Sequence, residues 1–158
     1  MRYLLLDRVA EFVPDSRVTV FKNVTRESDV MEHHFHGFPL WPGCLTLESM
    51  AQAGGYLVIR SEVDVRGRWT LAALASVSRA TFKHPVFPGD QMKIDAELGE
   101  VTPNSAEVTA VATVERVVVA KAKFVLVHRR LDPETNGDAI DYLTKLFNSF
   151  ERKGGILA

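Results

Sequence analysis

A single cysteine, Cys44, occurs in the 158 residues of the chain. One thiol cannot form a disulfide within the chain and is too few for a cysteine-built metal centre, so a reducing compartment, most simply the cytoplasm, is expected. An excess of charge is also missing: 19 Lys and Arg stand against 20 Asp and Glu, for a net charge of -1 and an isoelectric point near 6.5. That excludes the strongly basic face with which nucleic-acid binders attract phosphate, so an acidic partner must be met by a local basic patch. Long hydrophobic runs are absent as well. No ~18 apolar residues follow one another, and the opening Met1-Arg2-Tyr3-Leu4-Leu5-Leu6-Asp7-Arg8 has only a short apolar run, so neither a membrane span nor an export signal is expected.

What is present is the composition of a globular domain with a real core: 46% hydrophobic and 25% charged residues. The length suits one domain. Val9 to Val13 and Arg17 to Asn23 read as a hairpin around Pro14-Asp15-Ser16. Residues 24–43 show little periodicity and hold Gly37, Pro39, Pro42 and Gly43, which predicts a shaped loop. From Pro42 to about Arg60, Leu45, Leu47, Met50, Ala51, Ala53, Leu57 and Val58 lie nearly all the way round a helix, which should therefore be buried. Ser61 to Arg68 reads as a charged loop. Trp69 to Phe82, Gln91 to Val101, Ala106 to Val114 and Val117 to His128 are strand-like, the last three linked by short turns that imply an antiparallel sheet. The expected class is α+β, with a strongly curved antiparallel sheet wrapped around the long helix. Thr135-Asn136-Gly137-Asp138 offers caps for an additional C-terminal helix whose Ile140, Leu143, Leu146, Phe147 and Phe150 share one face, and Gly154-Gly155 stops it. That face should cover sheet surface or a subunit contact.

Chemistry concentrates between His33 and Gln52. A histidine in a rigid loop and Glu48 on a buried helix are an acid and a base suited to proton transfer near neutral pH. Desolvation on an apolar helix should raise the Glu48 pKa. Gly43, where the helix begins, has a backbone N–H unsatisfied within the helix and no side chain to keep a substrate carbonyl away. Glu48 and Gln52, four residues apart, share a helix face.

His34-Phe35, Gly37, Pro39, Pro42-Gly43, Leu45, Glu48 and Met50-Ala51-Gln52 stand in the register of a known signature. The stretch resembles that of the 3-hydroxyacyl-ACP dehydratases of bacterial fatty-acid synthesis, the FabZ and FabA types. Arg2 to Val9, Lys22-Asn23-Val24 and Phe82 to Met92 resemble further segments of the same family, so the likeness spans roughly residues 2–130. It implies a hotdog fold, with a dehydratase domain at 1–131 and a helical extension at 132–158. It implies homodimers, assembled in the FabZ type into trimers of dimers, with active sites shared between subunits. His34 would be the catalytic histidine, with Glu48 of the neighbouring subunit as its partner. Gly43 would polarise the thioester carbonyl, Leu40 C=O would orient the imidazole and Gln52 would hold the Glu48 carboxyl. Phe35, Phe38, Trp41 and Phe82 would line an apolar tunnel. No metal or other cofactor is implied, since the substrate arrives on the phosphopantetheine of acyl carrier protein. The activity implied is dehydration of 3-hydroxyacyl-ACP to trans-2-enoyl-ACP, in fatty-acid or polyketide-type synthesis such as an aryl-polyene route.

Several positions depart from that pattern. His33 replaces a glycine, and His36 and Phe38 replace what are commonly a proline and a polar residue. Cys44 follows Pro-Gly as in the FabA type, yet Glu48 and Ala51-Gln52 favour the FabZ type, which implies dehydration without isomerisation. Cys44 itself is expected to be a small buried residue rather than a nucleophile. His33, His34 and His36 are the weaker candidates for a metal site. Lys83, His84, Arg79, Arg129 and Arg130 are candidates for a carrier-protein docking patch, although Thr81 and His84 stand where arginine is frequent. A hotdog thioesterase and a non-catalytic acyl-binding protein are the alternative functions.

Overall fold

The computed structural model describes residues 4–151. Among these, the chain forms strands β1 (Arg8–Val13) and β2 (Arg17–Asn23), a one-turn helix α1 (Val30–His33) and the long helix α2 (Gly43–Arg66). Strands β3 (Thr70–Phe82), β4 (Gln91–Val101), β5 (Ser105–Val114) and β6 (Val117–Arg130) follow, and helix α3 (Gly137–Phe150) ends the fold. The strands make one sheet in the order β1-β2-β4-β5-β6-β3, with every neighbouring pair antiparallel.

Alternation along the strands directs one set of side chains to the helix: Val18 and Val20, Ile94 and Ala96, Val108 and Ala110, and Phe124 and Leu126 are all buried. Against them α2 buries Met50, Ala53 and Leu57. The approach is close because residue 54 has no side chain; a Cβ there would come 3.1 Å from Val108 Cγ1 and 3.2 Å from the Phe124 ring. A long helix cradled by an antiparallel sheet is the hotdog arrangement. At the tight β5–β6 turn, Glu115 and Arg116 both take positive φ, 48° and 70°, as the twist of a two-residue hairpin demands.

Three elements differ from the sequence expectation. Helix α2 runs on through the segment expected to be a charged loop, because Arg60–Asp64 and Glu62–Arg66 are ion pairs one turn apart, with Ser61 and Glu62 buried. It ends where Gly67 turns left-handed at φ 64° and its N–H bonds to Val63 O. Within the expected loop, Val30–His33 closes one helical turn, too short to leave a periodic signal. Cys44 is exposed rather than buried, since the second helical position points away from the face carrying Leu45 and Thr46.

The C-terminal helix comes close to strand β1 and sets its aromatic side chains against α2. Phe147 and Phe150 meet Tyr56 edge-on at centroid distances of 4.8 and 6.2 Å, and Phe147 stacks on Trp69. The Tyr56 hydroxyl donates to Glu151 Oε1 at 2.5 Å, and Arg60 pairs with the same oxygen at 3.3 Å. The expected stop at Gly154-Gly155 lies outside the described residues.

Strand β3 is one of the two edges of the sheet, β1 being the other. It pairs with β6 along its length and carries a long exposed run with Leu71, Leu74, Val77 and Phe82 between 39% and 53% exposed. No helix among the described residues is long and apolar enough to cross a membrane.

Candidate active site

His34 terminates α1, its N–H bonded to Val30 O. The chain then folds back on itself. Phe35 and Phe38 exchange backbone hydrogen bonds of 2.9 Å in both directions, and Leu40 N–H donates to His34 O at 2.7 Å. Gly37 sits in this turn at φ 76°, a left-handed conformation that suits glycine. The His34–Phe35 peptide bond is cis, and the two rings stack at 4.1 Å.

This closed turn sets the state of the imidazole. His34 Nδ1 lies 2.8 Å from Leu40 O. A carbonyl oxygen only accepts, so Nδ1 carries the proton and a neutral ring keeps the Nε2 lone pair free. The side chain is half-buried, not sealed from approach.

Glu48 is also half-buried. Gln52 Nε2 donates to Glu48 Oε1 at 2.9 Å, while Gln52 Oε1 accepts from Leu5 N–H at 2.8 Å. The amide therefore ties the carboxyl to the N-terminal segment and fixes which way it points.

Gly43 is the first residue of α2, and no hydrogen bond from its N–H is made among the described residues. The Phe82 ring rests on it so closely that a Cβ would come within 3.1 Å. Leu40, Trp41, Gly43 and Phe82 border one cavity of about 340 Å3, whereas Glu48 and Gln52 border another of about 330 Å3. Five positions on a helix turn through about 140°, so Gly43 and Glu48 face different flanks of α2. Within one chain, no hydrogen bond or ion pair links His34 to Glu48.

The remaining expected residues divide. Phe35 and Phe38 are 55% and 59% exposed at the loop tip, with Phe38 edge-on to Phe87. Trp41 is 4% exposed, belongs to the core and borders the Gly43 cavity. His33, His34 and His36 do not converge, and no group of three or more metal-ligating side chains exists among the described residues. The five-residue basic patch breaks apart. Arg79 and Lys83 share a shallow outer depression with Lys121 and Lys123, but Arg129 lies six residues, about 20 Å, further along β6 from Lys123. Lys121 and Lys123 were missed by sequence reading; their alternation with the buried Ala120, Ala122 and Phe124 was the available signal. The extent of α3 around the Glu48 cavity, through Leu143, Leu146 and Phe150, was also missed.

Comparison with known proteins places this geometry. Residues 1–128 match the family model described as the FabA-like domain. The 3-hydroxyacyl-[acyl-carrier-protein] dehydratase FabZ of Hydrogenobaculum sp. is 36% identical over 129 residues, covering 82% of this chain and 86% of its own. The enzyme of the same name from Myxococcus xanthus is 37% identical over 123 residues, 78% of this chain and 80% of its own. Among solved structures, the dehydratase heterocomplex ApeI:P from Xenorhabdus doucetiae superposes with a TM-score of 0.68 at 16% identity, over 87% of this chain and 90% of that one, a likeness of fold. On the family match and the identity to these relatives, the chain belongs to the FabA-like family.

Proposed function

We propose that the protein removes water from 3-hydroxyacyl thioesters carried on acyl carrier protein, giving trans-2-enoyl thioesters in fatty-acid or polyketide synthesis. The observation that carries the reading is the His34 imidazole held through Nδ1 by Leu40 O, which leaves Nε2 as a base. The FabZ relatives support the reaction.

In the mechanism the thioester oxygen accepts a hydrogen bond from Gly43 N–H at the positive end of α2, which stabilises the charge that develops there. His34 Nε2 takes a proton from C2. The C2–H electron pair becomes the C2=C3 bond, the C3–O bond breaks, and the departing oxygen takes a proton from Glu48 and leaves as water. Imidazolium and carboxylate remain, and transfer of the proton between them through solvent restores both groups. Nothing in this cycle calls for an exogenous electron carrier or metal.

The two halves of this machinery come from different subunits. Gly43 and Glu48 face different flanks of α2, and the exposed edge of β3 offers unpaired backbone groups and apolar side chains for antiparallel pairing with a second copy. Such dimers could assemble further into trimers of dimers. Arg79, Lys83, Lys121 and Lys123 form the basic surface for the acidic carrier protein, and the cytoplasm is the compartment that suits an exposed, unpaired Cys44.

The test is water loss from a 3-hydroxyacyl-ACP followed by mass, with the wild-type protein, His34→Ala and Glu48→Gln. Each substitution is expected to slow dehydration by at least about a hundredfold. Full turnover in either variant would remove that residue from the mechanism, and release of free acid from the carrier would replace the dehydratase with a thioesterase.

A further inference from the structure

We infer that α3 is a specificity element: with α2 and the start of β3 it walls a chamber for the distal part of the acyl chain and sets which chains fit. The inference rests on the dehydratase reading and names what that site selects. The cavity of about 330 Å3 has one polar end, formed by Glu48 and Gln52. Beyond it the walls become apolar, through Gly55 and Ile59 of α2 and Leu146 and Phe150 of α3. Glu48 and Ile59 are eleven positions apart on α2, about 16 Å along its axis. A polar mouth followed by an apolar body is the complement of a 3-hydroxyacyl chain, whose hydroxyl belongs at Glu48 and whose tail must be kept from water.

Gly55 supports this independently of the reaction. Glycine inside a helix is unfavourable, so an interior glycine calls for a reason. Neighbouring Gly54 has one, since a Cβ there would strike Val108, Phe124 and Leu126. Nothing lies within 4 Å of a Cβ built on Gly55. It relieves no crowding within the chain and faces the chamber, which is therefore wider at that turn than any side chain would leave it.

The far wall lies outside the segment that the family model matches. Helix α3 begins at residue 137, after the 1–128 matched by the family model, and Leu143, Phe147 and Phe150, buried in the core, border the cavity together with the half-buried Leu146. The Tyr56 and Arg60 bonds to Glu151, just after α3, tie that end of the wall to α2.

The experiment uses the full chain and a series of 3-hydroxyacyl-ACPs of increasing acyl length, reading kcat/KM by water loss for wild type, Gly55→Ala, Gly55→Leu and Leu146→Ala. Filling at Gly55 is expected to lower the ratio of long-chain to short-chain kcat/KM, tenfold or more for Gly55→Leu and less for Gly55→Ala. Opening at Leu146 should raise that ratio. Profiles parallel to wild type in all three variants would overturn the inference, as would loss of assembly in Gly55→Leu with no change of profile in the others, because the space would then belong to a partner subunit. Calorimetric binding of 3-hydroxyacyl-pantetheine amides of the same lengths separates the two levels. If wild type dehydrates nothing, the dehydratase reading fails, and the chamber still stands if binding depends on length and shifts in these variants; length-independent binding overturns it.

Discussion

Adjacent residues can have opposite consequences when a helix turns them, about 100° apart, toward different surroundings. Gly54 is buried and Gly55 half-buried in the run of α2, and only Gly54 has the sheet against it. Gly54→Ala forces a methyl group into Val108, Phe124 and Leu126, all almost fully buried and unable to retreat, and should cost about 1–3 kcal/mol. Gly55→Ala meets nothing and removes the helix penalty of glycine, a gain of about 0.8–1 kcal/mol. Urea denaturation of the two variants checks the signs. The residues at the site were legible to very different degrees. His34, Glu48 and Gln52 announced themselves as polar groups in a loop and on a buried helix, and the Gln52–Glu48 bond follows from their four-residue spacing. The bond from His34 to Leu40 O was expected only through the family resemblance, because a backbone carbonyl has no side-chain signature and its aim depends on how the turn closes.

Helices show where residue patterns stop being informative. The core of α2 and the four long strands could be read from apolar spacing, but the last turns of α2 are held by ion pairs, one of them to the buried Glu62, and look in sequence like a charged loop. For α3 the apolar face was legible and its seat was not, since nothing in the spacing of Leu143, Phe147 and Phe150 names Tyr56 and Trp69 as their neighbours. That seat has a pH limit. Burial first, and then the hydrogen bond to Glu151, raise the Tyr56 phenol above its ordinary value. A raised folded-state pKa means the contribution is complete below the unfolded value of about 10 and is lost as pH rises through the higher folded value. Wild type should therefore be more stable than Tyr56→Phe by about 1 kcal/mol near neutrality. Melting temperatures measured from pH 8 upward should converge once the phenol ionises, and a constant gap would show that the hydroxyl contributes nothing through its proton.

At the scale of the whole molecule, the proposal that His34 of one subunit works with Glu48 of another becomes a mixing experiment. A dimer of one His34→Ala and one Glu48→Gln subunit contains one site with both groups intact and one with neither. Random re-association of the two inactive variants should therefore restore about a quarter of wild-type activity, half of the dimers being mixed and each having one working site. Mixtures as inactive as their parents would place the two residues in one chain's site. The unpaired edge of β3 has one more consequence, and it concerns mass action. If catalysis and burial of that strand both require a second copy, the unfolding temperature should climb with protein concentration, and specific activity should fall on dilution below the dissociation constant, so the enzyme's own abundance becomes a control on its rate.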